Sequence, residues 1–173
     1  PDYRIWKLKD PTHEATGVVG ISTLIEKAWE STEKIPEQYI INKLLVFAST
    51  NEEADDIYKI LKEKLNQTEI IRVRAGDDLQ KIISCFTEAK RAIIVNCKVI
   101  KEGVDIPCAD SVCITYPKKS REQLVQMLLR PGRWYEGKPL FHILIPVLGD
   151  EIEGYMDVLM FLASVDCNLR NEI

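Results

Sequence analysis

Short apolar runs alternate with helical patterns from residue 43 onward. The runs are continuous rather than alternating in polarity, as expected of strands that are buried on both faces. They are Leu44 to Ala48, Ile70 to Val73, Ala92 to Cys97, Ser111 to Tyr116 and Phe141 to Val147. This order predicts an α/β fold with a mostly parallel sheet and helices on both faces.

Helical spacing of apolar residues marks the connecting segments. Thr50 and Glu53 form a capping-box pattern, which predicts the start of the helix after the first run. Ile35-Pro36 is a stop signal for an amphipathic helix near the front of the chain. The apolar positions of the helices are Ile21, Leu24, Ile25, Ala28 and Trp29; Ala54, Ile57, Tyr58, Leu61 and Leu65; Leu79, Ile82, Ile83 and Phe86; and Ile152, Tyr155, Met156, Leu159 and Leu162.

These patterns divide the chain into three parts. Residues 1–42 are predicted to be an N-terminal extension whose helix leads in from a preceding domain. Residues 43–148 form the sheet domain, and residues 149–173 form a closing helix that packs on it. The length of 173 residues fits one compact domain.

Charge and cysteine content narrow the class of protein. The formal net charge of −4 excludes a globally basic nucleic-acid binder, although the segment from Lys118 to Lys138 is locally basic.

The five cysteines show no CxxC spacing, so we expect reduced core residues of an intracellular protein. No signal peptide or membrane span is evident, and His13 and His142 lack the spacing of a metal site. We therefore expect a soluble, intracellular protein with no membrane partner and no metal site of its own.

Paired arginines are the first candidate for chemistry. Gln126, Arg130 and Arg133 are spaced i, i+4 and i+7, although Pro131 should kink or end the helix and loosens their shared face. An arginine fork can grip a phosphate or stabilise charge during phosphoryl transfer. The alternative is two solvated arginines that complement a helix dipole.

A turn from Glu102 to Pro107 is the second candidate. Gly103 can adopt a backbone conformation barred to other residues, and Asp105 can accept hydrogen bonds from a backbone amide or an arginine. Taken alone, without the downstream arginines, this segment is better explained as an ordinary turn between two strands.

Polar residues that follow two of the strands are the third candidate. Ser49, Thr50 and Asn51 lie between a strand and a helix start, where free amides can bind phosphates. Cys97 and Lys98 follow the third apolar run at the equivalent edge. A simple helix cap and a solvated lysine are the alternatives. No complete ATP-binding motif is present, since no glycine-rich segment carries the lysine of a phosphate-binding loop.

Together these segments resemble the second RecA-like lobe of superfamily 2 helicases. Leu44 to Thr50 resembles that family's motif IV, and Glu102 to Pro107 resembles motif V. Gln126 to Arg133 resembles motif VI, commonly QxxGRxxR, with Leu129 in place of glycine. A second register would start at Gln123 and lose the first arginine to Met127. The amino-acid sequence around these motifs is similar to that of helicases of large DNA viruses and of restriction-type helicases.

The resemblance implies a RecA-like three-layer sandwich and a share in ATP hydrolysis. An upstream RecA-like lobe of the same protein would hold most of the ATP and Mg²⁺, while this lobe supplies Arg133 as arginine finger and Arg130 as a second γ-phosphate contact. Gln126 would contact phosphate or the attacking water. Gly103 and Asp105 would belong to the nucleotide-binding site and support these residues.

The resemblance also implies a nucleic-acid strand as a partner. Ser49, Thr50, Cys97 and Lys98 would contact the backbone of DNA or RNA, with DNA favoured, and the isolated chain would be monomeric and inactive as an ATPase. One alternative stays open, a catalytically silent RecA-like interaction module. A doubly wound small-molecule enzyme is disfavoured, because the sequence lacks the glycine-rich turn that such an enzyme needs after the first strand.

Overall fold

The computed structural model describes the residues that carry the sheet and most of its covering helices. They are residues 2–9, 17–32, 36, 40–100, 104, 106–116, 127, 140–147, 160 and 164, with the backbone alone described for 2–9 and 147.

Strands and helices alternate along the described chain. The elements are β1 (Asp2–Lys9), α1 (Gly17–Thr32), β2 (Lys43–Phe47), α2 (Asn51–Lys64), β3 (Glu69–Val73), α3 (Leu79–Glu88), β4 (Ala92–Asn96), β5 (Ser111–Ile114) and β6 (Leu140–Val147). The strands form one sheet of order β1-β6-β5-β2-β4-β3. Each described pair is parallel, so the carboxyl ends of all six strands meet at one edge.

Apolar side chains cover both faces of the sheet. On one face, Leu44, Val46 and Ile93 pack with buried residues of α1 and α2. On the other, Leu45 and Ile94 pack with Phe86 of α3. Successive strand residues point to opposite faces, which is why continuous apolar runs were needed. The predicted α/β three-layer sandwich is confirmed.

The five predicted strands and the helices α1, α2 and α3 are confirmed, with ends that shift by one or two residues. β1 was not predicted: its eight residues pair with the whole of β6 at one edge of the sheet. It mixes charged and apolar residues instead of forming an apolar run, as suits a strand with a single neighbour. The domain boundaries stay a prediction, although β1 ties the N-terminal extension to the sheet.

Three further predictions concern the closing helix, the cysteines and membrane-spanning helices. Met160 and Ser164 are helical, and the other residues of the closing helix lie outside the described residues. Cys97 and Cys113 are buried, but Cys85 is exposed on the outer side of α3, so the prediction that it is a core residue is wrong. In the part of the chain that is described, no helix is long and apolar enough to cross a membrane.

Candidate nucleic-acid interface

A groove opens at the carboxyl edge of the sheet, above β2, β4 and β3. β2 and β4 are neighbours whose last residues, Phe47 and Asn96, stand in register. The segments that follow these strands therefore leave the sheet side by side. The groove has a volume of about 630 Å³ and is lined by Ser49, Thr50, Asn51, Ala75, Cys97, Lys98 and Val99.

Asn96 fixes the two main walls of the groove relative to each other. Its side chain is fully buried, and its Nδ2 donates to the carbonyl of Val46 at 2.9 Å. Its Oδ1 accepts from the amide of Ile100 at 3.4 Å, and its own carbonyl accepts from the amide of Ala48 at 2.9 Å. Buried polar groups that are paired in this way hold a loop in one geometry.

The first wall is the N-terminus of α2, which is capped as predicted. Thr50 is the N-cap residue, and its Oγ1 accepts from the amide of Glu53 at 3.0 Å. The Glu53 carboxylate accepts from both the amide and the hydroxyl of Ser49. The reciprocal bond of the capping box thus goes to the residue before the cap. Ser49 has its donors committed to Glu53, whereas the hydroxyl hydrogen of exposed Thr50 can still be donated.

The second wall follows β4. Cys97 is buried, and its Sγ donates to the carbonyl of Ser49 at 3.5 Å, which joins the two walls. Lys98 is exposed and adopts the left-handed conformation, with φ of 57°. A non-glycine residue in that region carries strain of about 1 kcal/mol or more. The chain holds an exposed ammonium group at the rim despite this cost.

A buried arginine stands behind the first wall. Arg72 of β3 has a side chain that is only 2% exposed, and its Nε lies 2.6 Å from Oδ1 of Asp55. Its Nη2 donates to Oδ1 and to the carbonyl of Asn51, at 3.0 and 3.3 Å, and its Nη1 donates to the carbonyl of Val73. Arg74 also donates to Oδ1 of Asp55, at 2.9 Å. This network connects β3 to the first turns of α2.

Two pKa shifts describe the electrostatics near the groove. The hydrogen bond from Arg72, aided by the charges of Arg72 and Arg74, lowers the pKa of Asp55. Burial raises the pKa of Tyr116, which lies close enough to Cys97 and Lys98 to sense their charge. Tyr116 is therefore neutral at physiological pH and adds no negative charge beside the groove.

The predicted site residues fall into two groups. Ser49, Thr50, Cys97 and Lys98 come together in the groove. The others lie outside the described residues: Gly103, Asp105, Gln126, Arg130 and Arg133. Their described neighbours in the same motifs, Ile106, Val104 and Met127, pack against the core on the α3 face. Within the described ranges no group of His, Cys, Asp and Glu side chains could hold a metal ion.

Sequence reasoning missed Arg72 and the pairing that joins it to Asn51. Asn51 lines the groove directly after Thr50. Arg72 stood inside what was read as an apolar run, from Ile70 to Val73. The signal was available, because an arginine inside a buried strand needs partners for its charge and its donors.

Known protein families and individual proteins match the part of the chain that includes the groove. The family described as helicase conserved C-terminal domain matches residues 27–135. The Saccharomyces cerevisiae protein IRC3, named as an ATP-dependent helicase, is 26% identical over 105 residues, which cover 60% of this chain and 15% of IRC3. The African swine fever virus protein A859L, named as a helicase, is 28% identical over 111 residues, or 61% of this chain and 12% of A859L.

Solved structures share the fold. The type ISP restriction-modification enzyme LlaBIII bound to DNA superposes with a TM-score of 0.67 at 22% identity, covering 97% of this chain and 14% of that enzyme. Domain 2 of the DEAD-box helicase Mss116p bound to an RNA duplex gives 0.62 at 16% identity, covering 91% of this chain and 59% of that one. This chain spans only 15% of the length of IRC3 and 12% of the length of A859L. It belongs to the helicase conserved C-terminal domain family.

Proposed function

We propose that this lobe works as the second motor lobe of an ATP-dependent helicase or translocase, with the groove as its strand-binding surface. The observation that carries the proposal is that one groove gathers the four residues predicted to contact a strand. Because the chain spans only 12% to 15% of its curated relatives, the activity belongs to the longer protein.

The chemistry of the groove suits a phosphate backbone. Lys98 provides an exposed cation on one wall, and Thr50 provides a hydroxyl donor on the other. The first amides of α2 add donors and the positive end of a helix dipole. Ser49 and Cys97 hold the walls together, so we expect them to shape the groove more than they bind. Contacts of this kind read the backbone and not the sequence.

Nucleotide chemistry is assigned to the interface with an upstream RecA-like lobe of the same protein. That lobe would hold most of the ATP and Mg²⁺, and Arg133, Arg130 and Gln126 would face the γ-phosphate across the interface. Gly103 and Asp105 would support them. The packing of Met127 against the core supports the register that starts at Gln126, since the other register would direct Met127 to the phosphate.

The partner strand is proposed to be DNA or RNA, with DNA favoured. The solved structures with the same fold are bound to DNA in one case and RNA in another. We further propose that the protein acts inside the cell and that this lobe by itself is monomeric and has no ATPase activity.

The test is ATP hydrolysis by the full-length protein with and without a 20-nucleotide oligodeoxythymidine. We expect Arg133→Ala to abolish stimulated turnover while the oligonucleotide still binds. Lys98→Ala should weaken binding and lower the slope of log Kd against log salt by about one. Lys90→Ala is the matched control, because Lys90 is an exposed lysine just before β4, at the opposite edge of the sheet.

Different failures point to different errors. Full turnover in Arg133→Ala would mean that the finger lies elsewhere or that the Gln123 register holds. Equal binding by the Lys98 and Lys90 variants would remove the groove from the strand path. Absence of stimulated turnover in the wild-type protein would favour the silent interaction module instead.

A further inference from the structure

Asn51 lies on the groove with its amide held in one orientation by a buried charge. It is the first residue of α2, and it is exposed. Oδ1 of Asn51 accepts from Nη2 of Arg72 at 3.0 Å. A guanidinium has donors only, so the amide oxygen must face it. The amide nitrogen on the other side of the same planar group then keeps its two donors turned away from Arg72.

We propose that Asn51 is a strand-contact residue, whose amide nitrogen donates to a backbone phosphate, and that Arg72 is its positioning residue. This proposal rests on the proposed strand-binding function of the groove. A residue with two fixed N–H donors suits a phosphate oxygen, and it adds no charge that would tie binding to salt.

The position of Arg72 explains why it is suited to this role. Its side chain is almost fully buried, so it cannot itself reach a strand. It is paired with Asp55, donates to the carbonyl at the end of β3 and donates to Asn51, so three partners fix the guanidinium. The carbonyl and side chain of Asn51 both accept from the same Nη2. One nitrogen therefore sets the backbone and the amide orientation of Asn51.

The experiment measures binding of fluorescein-labelled 20-nucleotide oligodeoxythymidine to the full-length protein by anisotropy, over a series of salt concentrations. Asn51→Ala should raise Kd by about tenfold, the value of a hydrogen bond to a charged group. Its salt slope should equal that of wild type, because no cation is lost. Lys98→Ala should instead lower the slope, so the neutral and cationic contacts are distinguishable.

Two further variants separate contact from support. Asn51→Asp keeps an oxygen acceptor for Arg72 and places an acid in the first turn of α2, so its melting temperature should not fall while its Kd rises at least as much as in Asn51→Ala. Asn66→Asp makes the same change in charge beyond the other end of α2 and should leave Kd unchanged.

The role of Arg72 is tested by coupling. Arg72→Lys should weaken binding severalfold in the wild-type background and have no further effect in the Asn51→Ala background. Additive effects would show that Arg72 acts by another route and would overturn the positioning role. If Arg72→Lys does not fold, Asn51→Ala decides: wild-type affinity in that variant overturns the proposal.

Failure of the proposed function gives a different pattern. If wild-type protein does not bind the oligonucleotide, or if Lys98→Ala and Lys90→Ala bind equally, the groove is not a strand site and both proposals fall. If Lys98→Ala weakens binding but Asn51→Ala does not, only the inference about Asn51 and Arg72 is wrong.

Discussion

At the residue scale, Asp55 joins a buried arginine to an exposed one. Its Oδ1 lies 2.6 Å from Arg72 and 2.9 Å from Arg74. Because Arg72 is buried and needs a partner, Asp55 is part of the network that orders the start of α2. Its side chain is itself 35% exposed, so solvent screens the pair.

Acid should weaken this network. The folded-state pKa of Asp55 lies below the unfolded value of 3.8, mainly because of the hydrogen bond from Arg72. The stability it contributes is therefore complete above about pH 4 to 5 and is lost as pH falls through the folded pKa. We expect Asp55→Asn to be less stable than wild type at pH 7 and to approach wild type toward pH 3. Urea unfolding at a series of pH values measures both curves.

The neighbouring aspartate provides the control. Asp56 pairs with Lys59 on the surface at 3.5 Å, a contact of small energetic value. Asp56→Asn should keep the wild-type dependence of stability on pH. A constant stability gap between Asp55→Asn and wild type across the pH series would contradict the assignment to Asp55.

At the element scale, a lysine caps the C-terminus of α3. The ammonium group of Lys43, the first residue of β2, donates to the carbonyls of Phe86, Thr87 and Ala89. A helix leaves its last carbonyls without intrahelical partners, and a cation there also complements the helix dipole. Burial lowers the pKa of Lys43, and Cys108 and Asp110 partly oppose that shift.

Loss of this cap should destabilise the fold. Lys43→Met keeps the aliphatic chain and removes the donors, so three carbonyls at the end of α3 lose this partner, and the contact with the carbonyl of Phe86 is a buried one. We expect a loss of about 1–3 kcal/mol in the free energy of unfolding, measured by urea denaturation. Lys90→Met, at an exposed lysine close to the same helix end, should change stability by less than about 0.5 kcal/mol. Equal effects of the two changes would refute the capping role.

The periodicity of the sequence predicted most elements because burial dictates it. Strands covered on both faces need largely apolar runs, and β2 to β6 have them despite Arg72 in β3 and His142 in β6. The Thr50 and Glu53 pattern identified the start of α2 to the residue. The sequence also predicted that the four strand-contact candidates lie together, because each follows the carboxyl end of a parallel strand and these ends meet at one edge of the sheet. Asn51 was placed at the helix start from the sequence, but its pairing with Arg72, 21 residues away, was beyond reach because no sequence pattern states it.

At the scale of the whole molecule, β1 closes one edge of the sheet. β6 is covered by β1 on one side and β5 on the other. The side chains of β6 from Phe141 to Pro146 are buried. An apolar parallel strand left at an open edge would present unpaired backbone groups and favour aggregation. The edge strand therefore supports the sheet that carries the groove.

Proline substitutions should reveal the pairing of β1 through its period of two. Arg4 and Lys7 are three residues apart, so only one of them directs its N–H toward β6. Of Arg4→Pro and Lys7→Pro, we expect one to lower the free energy of unfolding by at least about 1 kcal/mol more than the other, because it alone removes a ladder hydrogen bond. Urea unfolding measures the difference, with Arg4→Ala and Lys7→Ala as controls for loss of the side chains. Two proline variants as stable as their alanine controls would mean that β1 does not pair with β6. The edge of the sheet would then lie open at β6.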